Sequence, residues 1–132
     1  MPGKIEPAIR DLATGKNFGV LCFQLPGGQL ASHVMWVDAT EEHVLINTEV
    51  HRAKYRAMQR HPDVSVTVWD LENPYRYAEV RGRVVGEVRG DEARDHIDQL
   101  SQRYLGQDYQ APIQSERVIV RIEPIRQLAR GL

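Results

Sequence analysis

The sequence predicts an α+β protein, mainly β: six antiparallel strands that close or nearly close into a barrel, with three helices around it. Three observations predict this. Val64, Val66 and Val68 alternate with Ser65, Thr67 and Trp69, the period-2 mark of a half-buried strand. Hairpin-length links such as Pro26-Gly27-Gly28 join neighbouring apolar runs, and strands joined that way are antiparallel. The strand-helix-strand rhythm of a parallel sheet is missing, while Gly82 and Gly86 sit inside a long strand, where barrel closure needs curvature.

The elements follow in order. Residues 6–16 read as a helix, because Ile9, Leu12 and Ala13 form an i, i+3, i+4 stripe and Gly15 lies near its end. Residues 17–25 are a buried strand, and after the glycine turn residues 29–37 return beside it. A polar turn over 38–42 leads to a third strand at 43–47. Residues 50–60 change to a helical pattern with Ala53, Ala57 and Met58 on one side, stopped by His61-Pro62. The valine-rich strand comes next, then a turn over 71–74 and a long strand over 75–88. Residues 91–105 form the third helix: Asp91 can cap it, Ala93, Ile97 and Leu100 face inward, and Gly106 ends it. The last strand spans 117–122, with Val118 and Val120 on one face and Glu123-Pro124 as its stop. Nothing divides the chain, so residues 1–132 form a single domain. Six short strands enclose too little space for a ligand. A bound molecule would sit outside the barrel or between subunits.

Composition narrows the function. The chain has 132 residues, 42% hydrophobic and 27% charged, enough to bury a core without disulfide or metal staples. A net charge of -1 argues against a general nucleic-acid binder, although it leaves room for local basic patches. The single cysteine, Cys22, lies in the apolar run Val20-Leu21-Cys22-Phe23 and reads as a core residue in a reducing compartment. With no signal peptide and no long apolar stretch, the expectation is a cytoplasmic protein without membrane contact.

Most familiar chemistries find no support. His33, His43, His51, His61 and His96 are scattered without ligand spacing, so no metal is expected and they read as surface histidines. The chain has no serine-nucleophile elbow, no Walker loop and no dinucleotide fingerprint. The informative stretch is Asn47-Thr48-Glu49-Val50-His51-Arg52-Ala53-Lys54, which runs from a strand into a helix start. Amides there lack intrahelical partners, and with the helix dipole they favour an anion. Arg52 and Lys54 oppose that dipole, and a bound anion would turn the repulsion into attraction. The alternative is a solvated basic helix face paired with Glu49 or with aspartates elsewhere. A second candidate is Ser32-His33-Val34-Met35-Trp36. Alternation puts Ser32, Val34 and Trp36 on one side, where they could line a flat aromatic ligand; an ordinary barrel strand is the other reading. A third is Asn73-Pro74-Tyr75-Arg76-Tyr77, whose aromatics suit a site rim or a dimer interface.

In order and spacing these segments, with Arg103-Tyr104-Leu105-Gly106 and the closing strand at Arg117, resemble the pyridoxamine 5'-phosphate oxidase-like split-barrel superfamily. The similarity is greater to its flavin/deazaflavin oxidoreductase branch, which uses the deazaflavin coenzyme F-420. The resemblance implies a six-stranded antiparallel split β-barrel of the FMN-binding type. It implies a homodimer with cofactors in interface grooves and a small organic molecule as substrate. Arg52 and Lys54 would hold the cofactor phosphate, with Asn47 and Thr48 beside it. Ser32, His33, Val34 and Trp36 would run along the tricycle, and Tyr75 would meet it from the facing side. The resemblance assigns no side chain as acid or base. FMN-using relatives carry an arginine-rich strand before the phosphate lysine, where this chain has His43-Val44-Leu45-Ile46. That departure favours F-420 over FMN. An FMN oxidoreductase and a non-enzymatic flavin- or haem-binding protein are the alternatives on the same scaffold.

Overall fold

The computed structural model describes residues 3–132. Three helices and seven strands follow the order α1 (Pro7–Thr14), β1 (Phe18–Gln24), β2 (Leu30–Trp36), β3 (Asp38–Ala39), β4 (Val44–Glu49), α2 (Ala53–Arg60), β5 (Asp63–Asp70), β6 (Asn73–Arg89), α3 (Asp91–Leu105) and β7 (Arg117–Arg130). Every strand pair is antiparallel, in the order β2-β1-β5-β6-β7-β4-β3. The sheet curls so that its two edge strands are consecutive in sequence, with only Val37 between β2 and β3. This is a split β-barrel. The seventh strand, β3, is two residues long and pairs only with Val44 and Leu45, too short to leave a periodic signal in a region read as a turn.

The interior is filled by side chains. Leu21, Phe23, Val37, Ile46, Val66, Val80, Val120 and Ile122 are buried there, and α1 plugs one end with Ile9, Leu12 and Ala13. A ligand therefore has room only outside the barrel, as strand number and length imply. Val64, Val66 and Val68 point inward as their alternation predicts. The β1–β2 hairpin turns on Gly27 and Gly28 at φ 95° and 94°, backbone that favours glycine.

Four details differ from the sequence reading. The last strand does not stop at Glu123-Pro124 but runs on to Arg130. β4 pairs with β7 only as far as Ile122, so beyond that point β7 has a free edge where proline's missing N–H costs no ladder bond. Asp91 is the first helical residue of α3 and makes no cap; Gly90 precedes it at φ 78°. In α2, Ala53 is exposed and Tyr55 is buried in its place, its hydroxyl donating to Glu87 at 2.8 Å. Cys22 is half-buried on the outer face of β1, because its neighbours Leu21 and Phe23 take the inward positions.

Candidate functional site

A groove of about 310 Å³ lies on the outer rim of the barrel, between β2, β4, the start of α2, α3 and β7. Its two ends differ in chemistry. One is apolar and aromatic: Phe18, Val34, Trp36, Ile97, Leu100 and Tyr109. Trp36 stacks on Tyr104 with centroids 5.1 Å apart and planes 3° off parallel, while the Tyr109 ring stands nearly perpendicular to it, with centroids 6.2 Å apart. Tyr104 is fixed in turn, since its hydroxyl donates to the Asn17 carbonyl and accepts from the Val37 N–H at 3.3 Å. The indole therefore presents a rigid flat surface.

The other end is cationic. Arg52 is the N-cap of α2, in extended conformation, and Lys54 is its second helical residue. Arg117 reaches the same wall from the first position of β7. Glu49, directly opposite Arg117 across the β4–β7 ladder, is the carboxylate that faces them. Its Oε2 lies 3.5 Å from Arg117 Nη1 and 3.8 Å from Arg52 Nη2. Its Oε1 accepts from the N–H groups of Gln114 at 2.7 Å and Ser115 at 2.8 Å. Burial alone would raise the Glu49 carboxyl, but those two amides and the Arg117 charge outweigh it and hold the group below the ordinary glutamate value.

Lys54 makes no ion pair among the described residues. Burial, and then the charges of Arg52 and Arg117, push its pKa down. Burial likewise lowers the Arg117 pKa, against the raising influence of Tyr109 and Glu49, yet a guanidinium keeps its charge at neutral pH. Of the three cations only Arg52 and Arg117 share the Glu49 carboxylate, so the groove holds an excess of positive charge that an anion would relieve.

Of the residues singled out in the sequence, Val34, Trp36, Asn47, Thr48, Arg52 and Lys54 all line this groove. Ser32 and His33 lie farther along β2, on the exposed edge, and the His33 ring meets that of Phe23 nearly perpendicular, with centroids 5.0 Å apart. Tyr75, at the start of β6, is 82% exposed and lines no part of the groove. Sequence reasoning missed Phe18, Met35, Ile97, Leu100, Tyr109 and Arg117 as groove residues. Arg117 carried a signal: a charge opening the otherwise apolar run Val118-Ile119-Val120. His96 was also misread as a surface histidine. It is buried on α3, 2.9 Å from Asp38 and 3.0 Å from the Asn47 amide.

Among the described residues no cluster of three His, Cys, Asp or Glu side chains could hold a metal ion. Among the described residues no helix is long and apolar enough to cross a membrane.

A curled antiparallel sheet with a filled interior and a groove at its rim defines a split-barrel protein. Solved structures of that class superpose on it closely. An F420 reductase aligns with a TM-score of 0.80 and 28% identity, covering 94% of this chain and 98% of its own. A conserved hypothetical protein, Rv2991 from Mycobacterium tuberculosis, aligns at 0.75 and 23%, covering 96% and 84%. The heme storage protein HutZ from Vibrio cholerae shares the fold at 0.65 and 14%, covering 96% and 95%. The chain belongs to the pyridoxamine 5'-phosphate oxidase family, whose model matches residues 5–128. No curated protein matches it.

Proposed function

We propose that this protein is an F-420-dependent oxidoreductase that works as a homodimer, binding the deazaflavin in the rim groove and transferring a hydride to or from a small organic molecule. The observation that carries this reading is the pairing, in one groove, of a flat aromatic wall at Trp36 with a cationic end at Arg52, Lys54 and Arg117. That polarity suits a cofactor with a planar apolar ring system at one end and a phosphate at the other. The 28% identity to an F420 reductase, over nearly the full length of both chains, supports the deazaflavin over FMN.

When bound, the deazaflavin supplies the hydride-transfer chemistry. The chain's own residues orient it and exclude water. Arg52 and Lys54 hold the phosphate, aided by the first amides of α2, with Thr48 beside them. Trp36 and Val34 lie along the ring system and keep one of its faces dry. On one protomer the groove is at the small end for such a ligand, and Val34 is 64% exposed, so a second wall is needed. Tyr75, with Ser32 and His33, belongs to that wall or to the seam where two subunits meet.

Fluorescence and absorbance titrations with F-420 and with FMN test the cofactor. F-420 should bind the more tightly. Tenfold tighter binding of FMN would transfer the reading to a flavin oxidoreductase of the same fold.

A further inference from the structure

A part-buried chain of polar side chains runs beside the groove and ends on Arg117. Arg103 Nη2 donates to Asp38 Oδ1 at 2.9 Å, and His96 Nε2 lies 2.9 Å from Asp38 Oδ2. His96 Nδ1 lies 3.0 Å from Asn47 Nδ2. Arg117 Nε donates to Asn47 Oδ1 at 2.8 Å.

The proton positions along this chain are dictated by its ends. Asn47 Nδ2 also donates to the Ala93 carbonyl at 2.9 Å, and a carbonyl can only accept, so that face of the amide must be the NH2. His96 Nδ1 must then accept, which leaves the imidazole proton on Nε2, aimed at Asp38. Burial opposes ionisation of Asp38, but hydrogen bonds from His96 and Arg103 and the Arg103 charge outweigh it, so the carboxylate is charged and accepts from both. Asn47 Oδ1 is left with one use, as acceptor for Arg117 Nε. Arg117 is nine-tenths buried, its ring neighbour Tyr109 lies 5.3 Å away, and among the described residues neither Nη nitrogen donates a hydrogen bond. A guanidinium held by its Nε lines the groove with Nη1 in a loose 3.5 Å pair with Glu49 and with neither Nη spent in a hydrogen bond among the described residues, so it is set to receive an anion.

We propose that Asp38, His96 and Asn47 form a positioning relay that holds Arg117 as a further ligand for the cofactor phosphate. Asn47 is thus a positioning residue rather than a direct contact. The proposal rests on reading the groove as a phosphate-bearing cofactor site. Its physical content is pre-organisation: an arginine whose rotamer is already fixed loses less entropy when it binds.

The test compares wild type, Arg117→Met, His96→Leu and His96→Gln. Each is titrated with F-420, with the phosphate-free deazaflavin fragment, and with inorganic phosphate followed by 31P line broadening. Arg117→Met should weaken F-420 and phosphate by about 10- to 150-fold, the loss of one charge-assisted hydrogen bond, and leave the phosphate-free fragment within about threefold. His96→Leu should shift the same two ligands in the same direction. His96→Gln, which can both accept from Asn47 and donate to Asp38, should restore them; a residue that merely fills space would be rescued by leucine instead. Nitrogen-15 spectra of wild type should show His96 protonated at Nε2 and bare at Nδ1, a readout that stands even if His96→Leu fails to fold. Phosphate and F-420 binding to Arg117→Met at wild-type strength overturns the proposal, and so does a proton on Nδ1. If Lys54→Ala loses F-420 while Arg117→Met does not, the relay fails and the cofactor reading stands. If phosphate needs Arg117 but F-420 does not bind wild type, the cofactor reading fails and the Arg117 site stands.

Discussion

Lys54 sits in a groove with two other cations and no ion pair among the described residues, which makes its charge unfavourable until an anion arrives. Replacing it with alanine removes a charge-assisted contact, so F-420 affinity should fall by about 10- to 150-fold. Thermal stability should stay within about 0.5 kcal/mol of wild type or rise, since a repulsion is relieved. Arg56→Ala, an exposed change one half-turn farther along α2, serves as the control and should leave affinity unaltered. The pH dependence has a definite sign. Lys54 has its folded pKa lowered, so it sheds its proton below the usual lysine range, and affinity should decline as pH rises through that region. In Lys54→Ala the alkaline decline should vanish. Asp38 behaves in the opposite sense. Its folded pKa is depressed, so its stabilising contribution is complete above the ordinary aspartate value and is lost as pH falls through the lowered one. Thermal melts between neutral and strongly acid pH should show a shallower acid limb for Asp38→Asn than for wild type. Six of the nine residues picked out in the sequence meet in the groove, because β2, β4 and the start of α2 carry them in short contiguous runs. Arg117 escaped that reading. Its partner Asn47 is 70 positions away, and only the β4–β7 register brings the two together.

The elements that were legible are those whose pattern is local. The stripe of α1, the valine alternation of β5 and the glycine turn of the first hairpin each carry their own period. The β6–β7 pair was not legible past Pro124, since what permits that strand to continue is the absence of a neighbour on its far side. The ladder there shifts register between Arg81 and Gly82, with Gly82 opposite Pro124. A Cβ on Gly82 would lie 2.5 Å from the Glu123 carbonyl oxygen and 2.6 Å from Ile122 Cγ2. One of those atoms is backbone and cannot move cheaply. Gly82→Ala should therefore cost about 1–3 kcal/mol, the usual range for overpacking, and lower Tm by roughly 4–12 °C. An unchanged melting curve would show that the bulge relaxes freely.

At the scale of the whole molecule, a filled barrel leaves binding to its outside, where the proposed dimer would form. Leu30, 74% exposed, and Val34, 64% exposed, leave an apolar edge on β2 beside the groove, and Tyr75 stands out from the start of β6. In the proposed dimer, two copies that cover these residues would also give the groove a second wall. The barrel and its helices could be read from the order of patterns along the chain, whereas the depth of the groove depends on how α3 lies over β4 and β7, which no local pattern encodes. The most direct measurement is sedimentation velocity of the protein with F-420, followed at the absorbance of the deazaflavin. One chain has a mass of 15.1 kDa. The account predicts that the coenzyme moves with a species of about 30 kDa, two per dimer. Coenzyme that sediments freely, or with a single chain, would contradict it.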